Sequence, residues 1–586
     1  MVNGLLPAAH GCTGSIKFKG GQMSIVRRVF YYLLTLIALI VFANGLGQLL
    51  SLLFDITLRD SSIQVGRQAF NSSQFSLGLA MVIIAGPLWF FFWRTIRKRV
   101  AGNPEEIGSA IRKFYLNLVL LVSAFTGLGG LSGFLRWLFN GVQTASFPSG
   151  GLAMFIVSSI IWFYHWRVSE SEGHPSPAAK TLRRWYVYIL SAAGLIWLAE
   201  NIVQVISAAI LVLPFWGNTV ARSNFWNYST QSGISWIILG AIVWYFHWFR
   251  GAKNDIESVL RQVYYYVLAI TGGIITALTA LATTLYLFLK WAFGAVDVPL
   301  GQHFQFLSWT IPTLLVGLAI WGYHRELAQE EQSSVVERKQ SAQRIHRYLM
   351  SFISLGTTVA GLIILFAILL GLVIESGGIP AAAGPGGWRN ALSLCLALLI
   401  VGTPLWIYFW GKTLKLAEAG GIVEWRATSR RIYLYAIVAI AIGTLIADLV
   451  NIVYQLINGL LQQEMGLQVL RDISWSLESL IVAVPLLWYH WRIIRSEQRR
   501  GAEGVPVHKR VTLISNDRTG QLTSKIVEKL GYKIRVLYLS AQGEPAVAFS
   551  DEEIDQAITV LRDAPASNVL IVVTGNKITV LPYQEK

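Results

Sequence analysis

Six times along this chain a basic-aromatic cluster opens a long apolar run, and a Trp/Tyr/His-type cluster closes the run after it. The openers are Arg27-Arg28-Val29-Phe30-Tyr31, Arg112-Lys113-Phe114-Tyr115, Arg183-Arg184-Trp185-Tyr186, Arg261-Gln262-Val263-Tyr264, Arg344-Ile345-His346-Arg347-Tyr348 and Arg430-Arg431-Ile432-Tyr433. The closers span Trp89 to Arg94, Trp162 to Arg167, Trp244 to Arg250, Trp321 to Arg325, Trp406 to Trp410 and Trp488 to Arg492. A repeat of roughly 80 residues constrains the architecture before any local detail does. Twelve apolar runs, from 29–54 to 474–491, fit between these clusters. Most reach the ~18 residues needed to cross ~30 Å of hydrocarbon.

The expected fold is therefore an all-α polytopic membrane protein. Its roughly twelve transmembrane helices form six parallel hairpin repeats, followed by a small cytoplasmic α/β domain. Hydrophobic residues are 54% of the chain and charged ones 14%, which excludes an ordinary soluble protein of 586 residues. Aligned closing positions are Phe92, His165, His247, His324, Phe409 and His490. Their uneven spacing argues for duplicated hairpins with free loop lengths, not for a regular solenoid.

The net charge of +16 follows from topology, not from nucleic-acid binding. Segments joining each even run to the next odd one, with the two flanks, hold 29 Lys and Arg between Arg27 and Arg500. The opposite loops hold Arg59, Arg67, Arg222, Arg389 and Arg471. This asymmetry places the basic ends, and both termini, in the cytoplasm of a bacterial plasma membrane. The expected partners are the lipid bilayer and a cytoplasmic protein bound through the tail. No cofactor is expected, and Cys12 and Cys395 frame neither a disulfide nor a metal site.

Tryptophan and tyrosine beside arginine are natural anchors at lipid headgroups. Trp89, His165, Trp166, His247, Trp248, His324, His490 and Trp491 are read as such anchors. Haem ligation by the four histidines is disfavoured, because they sit at the rim and two repeats carry phenylalanine instead. Pro87, Pro404 and Pro485, each five residues before a closing position, predict matched kinks.

The polar residues inside the apolar runs are the better functional candidates. Asn44, Glu200 and Asp448 lie about 16 residues, or ~24 Å, into their helices. Each heads a polar stripe: Asn44/Gln48/Ser51, Glu200/Gln204/Ser207 and Asp448/Asn451/Gln455, with Thr276/Thr279/Thr283 a milder version. Glu478 is positioned to approach Asp448, and Arg136 or Lys290 to neutralise an acid. Such residues in lipid face a cavity or a partner. The stripes serve either an outward polar pocket or hydrogen bonds that dock hairpins, the second being favoured. No catalytic constellation is visible, so an enzyme is not expected.

Residues 1–22 are expected to be an extension outside the fold, with Met23 the natural start. Residues 23–495 form the repeat domain, 496–508 a linker and 509–586 the α/β domain. In that tail, strands are predicted at 510–515, 533–540 and 546–549, helices at 521–530 and 551–563, and a hairpin around Gly575-Asn576. Ser550 to Glu553 is a capping-box pattern. The turn 515–520 offers free backbone N–H groups to an anion, but lacks any phosphate-loop glycine pattern.

The Arg-Arg-x-Tyr-x-Tyr opener at Arg430 to Tyr435, with the lead-in Glu257 to Arg261, resembles bacterial membrane repeats of domain-of-unknown-function family 5671. The resemblance covers roughly residues 25–495 and leaves the tail outside. It implies a multi-pass membrane protein and brings no assigned activity or catalytic residue. Helix nine, with Arg347-Tyr348-Leu349-Met350, departs most from the pattern. Function is expected to be either a membrane platform or signalling subunit presenting the tail, or a transporter or channel using the polar stripes.

Overall fold

The computed structural model describes residues 25–59, 68–174, 176–216, 224–256, 258–294, 296–331, 336–374, 387–463, 466–503, 510–515, 520–531, 534–538, 549–563, 568–574 and 577–583. Residues 1–22 and the expected features at 516–519, 546–548 and 575–576 lie outside the described residues.

Among the described residues the apolar runs fold as twelve long helices. They are α1 (Ile25–Leu58), α2 (Gln68–Gly102), α3 (Ala110–Phe139), α4 (Ser149–Glu172), α5 (Pro177–Leu211) and α6 (Tyr228–Gly251). There follow α7 (Val259–Ala292), α8 (Leu300–Glu330), α9 (Val336–Ile374), α10 (Gly387–Trp425), α11 (Thr428–Gln462) and α12 (Leu467–Glu503). The first eleven are long and apolar enough to cross a membrane, by length and composition among the described residues. α12 does not belong to that set, and it continues in helical conformation to Glu503, through the first part of the stretch 496–508 expected as a linker. The protein is thus an all-α polytopic membrane protein with a small C-terminal α/β sheet.

Local chemistry sets the helix starts. Ser176 accepts a hydrogen bond from Ala179 N with Pro177 in the first turn, and Asn227 accepts one from Thr230 N. Pro87, Pro404 and Pro485 each lie inside a helix, as does Pro312. The break in α10 falls at Gly421, whose φ is +52°. α6 ends in a π-helical turn at Tyr245–Gly251, and α7 passes through one at Tyr264–Ile270 after an α-helical first turn at Val259–Val263. The first turn carries most of a closing cluster, and the second starts at Tyr264, the last residue of an opening cluster.

Odd and even helices meet through glycine. In three neighbouring pairs, facing glycines bring backbone against backbone: Gly130 with Gly151, Gly194 with Gly240, and Gly273 with Gly317. A Cβ built on Gly240 would lie 2.7 Å from Leu198 N, and one on Gly194 2.6 Å from Trp244 N. Lipid supplies no hydrophobic drive between helices, so close approach over small residues supplies the packing. Gly240→Val is therefore expected to cost about 1–3 kcal/mol by overpacking. Gly272→Ala, where a Cβ meets nothing within 4 Å, should be neutral or stabilising. Thermal unfolding of the two variants in detergent checks the contrast.

The described chain forms two compact units, residues 1–413 with 452–478, and residues 414–451 with 479–586. In the first, aromatic residues dominate the packing, including Tyr186, Tyr188, Trp248, Tyr264 and Tyr265 in one cluster and Tyr32, Trp93 and Tyr115 in another. The second contains the tail, in which β1 (Arg510–Ser515), α13 (Gln521–Leu530), β2 (Arg535–Tyr538), α14 (Asp551–Asp563), β3 (Asn568–Thr574) and β4 (Lys577–Tyr583) follow in order. The sheet order is β2-β1-β3-β4, with β1 parallel to both neighbours and β3-β4 an antiparallel hairpin. Leu522, Ile526, Ile554, Ile558 and Leu561 close the sheet face formed by Val511, Leu513, Val569 and Ile571. The Ser550/Glu553 capping box forms, with Ser550 N donating to Glu553 Oε2 at 2.9 Å.

Candidate functional site: ion-pair clasps and polar stripes

In five of the six openers an arginine near the start of an odd helix meets a carboxylate that comes from the C-terminal part of the following even helix or from the loop after it. Arg28 Nε donates to Glu106 Oε1 at 2.8 Å, and Arg184 Nε to Asp255 Oδ1 at 2.8 Å. Arg112 grips Glu172 through Nε at 3.0 Å and through Nη2, while Lys113 Nζ reaches the same carboxylate at 3.0 Å. Arg261 Nε donates to Glu331 Oε2 at 2.8 Å and its Nη1 to Ala252 O at 2.6 Å. Arg430 Nε donates to Glu497 Oε1 at 3.0 Å. Arg112, Lys113, Arg261 and Arg430 are buried.

Tyrosines complete three of these clasps. Tyr188 donates to Asp255 Oδ2 at 3.1 Å, Tyr265 to Glu331 Oε1 at 2.7 Å, and Tyr32 accepts from Arg112 Nη1 at 3.1 Å. Charge-assisted and forked, such bonds are the strong class, and only such pairing makes a buried guanidinium tolerable. Beside them, in the loop after α4, His174 has its proton affinity held below the ordinary value by burial first, then by Arg183 and Lys113. The clasp acids were not among the candidates from sequence. Their signal is positional: Glu172, Glu331 and Glu497 each stand seven residues after a closing histidine (165, 324, 490), and Asp255 eight after His247.

The histidines turn inward. His165, His324 and His490 are buried, and His247 is half-buried. Each bonds through Nδ1 to the carbonyl four residues back, Ile161, Val243, Ile320 or Leu486, at 2.8–2.9 Å. A carbonyl only accepts, so Nδ1 carries the hydrogen and Nε2 is the acceptor. Each ring packs on the opener tyrosine of its own pair: His165 on Tyr115, His247 on Tyr186, His324 on Tyr264 and His490 on Tyr433, with centroids 5.6–6.0 Å apart. Tyr31 and Phe92 make the same contact in α1 and α2, and His346 and Phe409 make it in α9 and α10 with the imidazole on the other helix.

Tryptophans pass the contact along the chain. Trp162 Nε1 donates to Tyr186 OH at 3.0 Å and Trp244 Nε1 to Tyr264 OH at 3.1 Å, each joining an even helix to the next odd one. Trp248 is buried against Tyr264, and Arg261 lies 4.8 Å above its ring. Of the expected headgroup anchors, Trp491 is exposed, Trp89 and Trp166 are half-buried, and the histidines and Trp248 serve helix-to-helix contacts.

The polar stripes separate into local arrangements. Asn44 is exposed and donates to Ile40 O at 2.8 Å; Gln48 is half-buried and its Oε1 has no hydrogen-bond partner among the described residues. Glu200 is exposed on an apolar groove of about 510 Å³ formed by α5, α7 and α8, where Thr276 and Thr313 are the other polar side chains. Gln204 Nε2 donates to Ser229 Oγ at 2.5 Å, and Ser207 lies 3.3 Å from Ser308 Oγ. No hydrogen bond joins Asn44 or Gln48 to Glu200 or Gln204 among the described residues.

Asp448 is buried and accepts from Ser479 Oγ at 2.5 Å, in a contact between α11 and α12. Asn451 is half-buried and Glu478 is buried. Among the described residues Arg136 meets no acid, and its Nη1 donates to Tyr228 OH at 2.6 Å. Asn44, Gln204, Ser207 and Asp448 are thus engaged in helix-to-helix or own-helix hydrogen bonds.

Four stretches of the chain, residues 28–151, 149–213, 208–323 and 344–469, match the family described as Domain of unknown function (DUF5671). The matches cross two or three helices each, from α1 to α3, α4 to α5, α6 to α8 and α9 to α11, and leave the α/β tail outside. No curated protein and no solved structure matches the chain. With well over half its length matched in repeated segments that hold most of the openers and closers, the sixth closer lying outside, the chain belongs to the DUF5671 family.

Proposed function

We propose that this protein is a bacterial membrane platform in which six copied, parallel hairpins hold the α/β module of residues 509–586 at the cytoplasmic face for a protein partner. In this reading α12 is the twelfth crossing and pairs with α11. The observation that carries it is the clasp: arginines at the hairpin ends are spent on buried ion pairs that join helices, not on lining a path. The stacked Trp-Tyr-His contacts act in the same sense, favouring one arrangement of helices over several.

A second reading, transport, rests on Glu200 and its groove. The two separate in a strain deleted for this protein and complemented with full-length variants. Glu200→Leu removes the groove's charge; Ile526→Asp places a charge in the core of the tail, where Ile526 is buried. The platform reading expects Ile526→Asp to lose complementation and Glu200→Leu to keep it, at equal membrane levels. The reverse pattern would establish transport.

A further inference from the structure

We propose that the cytoplasmic half of α12 carries a binding site for the headgroup of an anionic phospholipid, built from Trp488, Trp491, Arg492, Arg495 and Arg499. At 100° per residue these five fall on one face of the helix. Trp488 and Trp491 are 62% and 51% exposed, and all three arginines are exposed. Arg492 lies 5.5 Å over the Trp488 ring. Together with Ser496 and Arg500 these side chains border a depression of about 490 Å³.

The opposite face of the same helix is closed. His490 and Ile494 are buried there, and Glu497, the carboxylate nearest these arginines in sequence, is held by Arg430. Among the described residues, Arg492, Arg495 and Arg499 therefore have no carboxylate partner. This is unlike the opener arginines Arg112, Arg261 and Arg430, which are buried against carboxylates.

The occupant follows from the order of the residues. Exposed indole rings sit where the apolar run ends, and the arginines follow over the next two turns, at headgroup depth. A free phosphate would need the cations but not the rings. A phosphodiester on an acyl-bearing glycerol uses both, with guanidinium forks on the phosphate and the rings against the glycerol and upper chain. The inference rests on α12 being the twelfth crossing, because only then do these rings meet the membrane edge.

The test is native mass spectrometry of the full-length protein, loaded with an equimolar mixture of phosphatidylglycerol and phosphatidylcholine of matched chains. Wild type is expected to retain phosphatidylglycerol. Arg492→Gln/Arg495→Gln/Arg499→Gln should weaken that retention on the order of a hundred-fold, three surface charges each contributing roughly fivefold. An equal charge reduction elsewhere, Arg94→Gln/Arg97→Gln/Lys98→Gln, should leave it unchanged, and a triple lysine variant at the site should recover part of it. Retention unaltered by the triple glutamine variant, or lost equally in the control, overturns the site. So does displacement of the lipid by inorganic phosphate alone, which would identify a free anion as the ligand. Sidedness is read separately by cysteine labelling, so loss of the twelfth crossing and loss of the lipid site give different results.

Discussion

Replacing Glu172 with glutamine is expected to destabilise the protein by about 3–5 kcal/mol, the cost of leaving a buried charge without its counter-ion. The effect is large here because one carboxylate serves two cations. Arg112 and Lys113 are both essentially fully buried, and both reach Glu172. Glutamine keeps the size and one acceptor, but its amide nitrogen is a donor turned toward donors. Arg112 cannot shed its proton in compensation. It would also release its grip on Tyr32 of α1, so the damage spreads to a third helix. The companion Arg112→Met/Lys113→Met/Glu172→Leu removes all three charges and should recover most of the loss, as apolar replacement of buried ion pairs does elsewhere. Thermal unfolding in one detergent, with monodispersity as the check on folding, measures both. A Glu172→Gln variant within about 1 kcal/mol of wild type would mean that water reaches the clasp.

How far the sequence anticipates this arrangement depends on the range of each interaction. The helices are legible because their signal is local: length, apolarity and the opener and closer that bound them. The tail reads well for the same reason, since the Ser550/Glu553 box and the alternation Val511, Leu513 act within a few residues. The clasps escape because Arg112 and Glu172 are 60 residues apart, and Arg28 and Glu106 are 78 apart. Alone, each looks like a solvated rim charge. The histidines mislead in the other direction. Their depth at the membrane edge suggests a headgroup anchor, but depth does not fix the direction in which a ring points. The i−4 carbonyl and the opener tyrosine draw His165 and His324 inward. Asn44 illustrates a third limit: a polar residue in an apolar helix can satisfy its amide on its own backbone at Ile40, with no site implied.

A cysteine in the tail at Lys525 is expected to label with an impermeant maleimide only from the cytoplasmic side, in an all-or-none contrast between whole cells and inverted vesicles. Lys525 is exposed, and the native Cys12 and Cys395 are replaced first. Eleven apolar helices alone would put the two ends of the array on opposite sides, so the outcome turns on α12. Glu478 is the reason to doubt it, and its depth is the answer. It lies 14 residues before Arg492, or ~21 Å along the helix, in the outer third of a ~30 Å core where an acid costs less than at the centre. Next to it, Ser479 is hydrogen-bonded to Asp448 of α11, so these two polar side chains partner each other within the same helix pair. At the far end Arg492, Arg495, Arg499 and Arg500 resist translocation, against the single Arg471 at the near end. Arg97→Cys should therefore label together with Lys525→Cys, and Asp297→Cys from the opposite side. Should Lys525→Cys instead follow Asp297→Cys, the twelfth crossing, the sixth hairpin and the cytoplasmic platform all fall together.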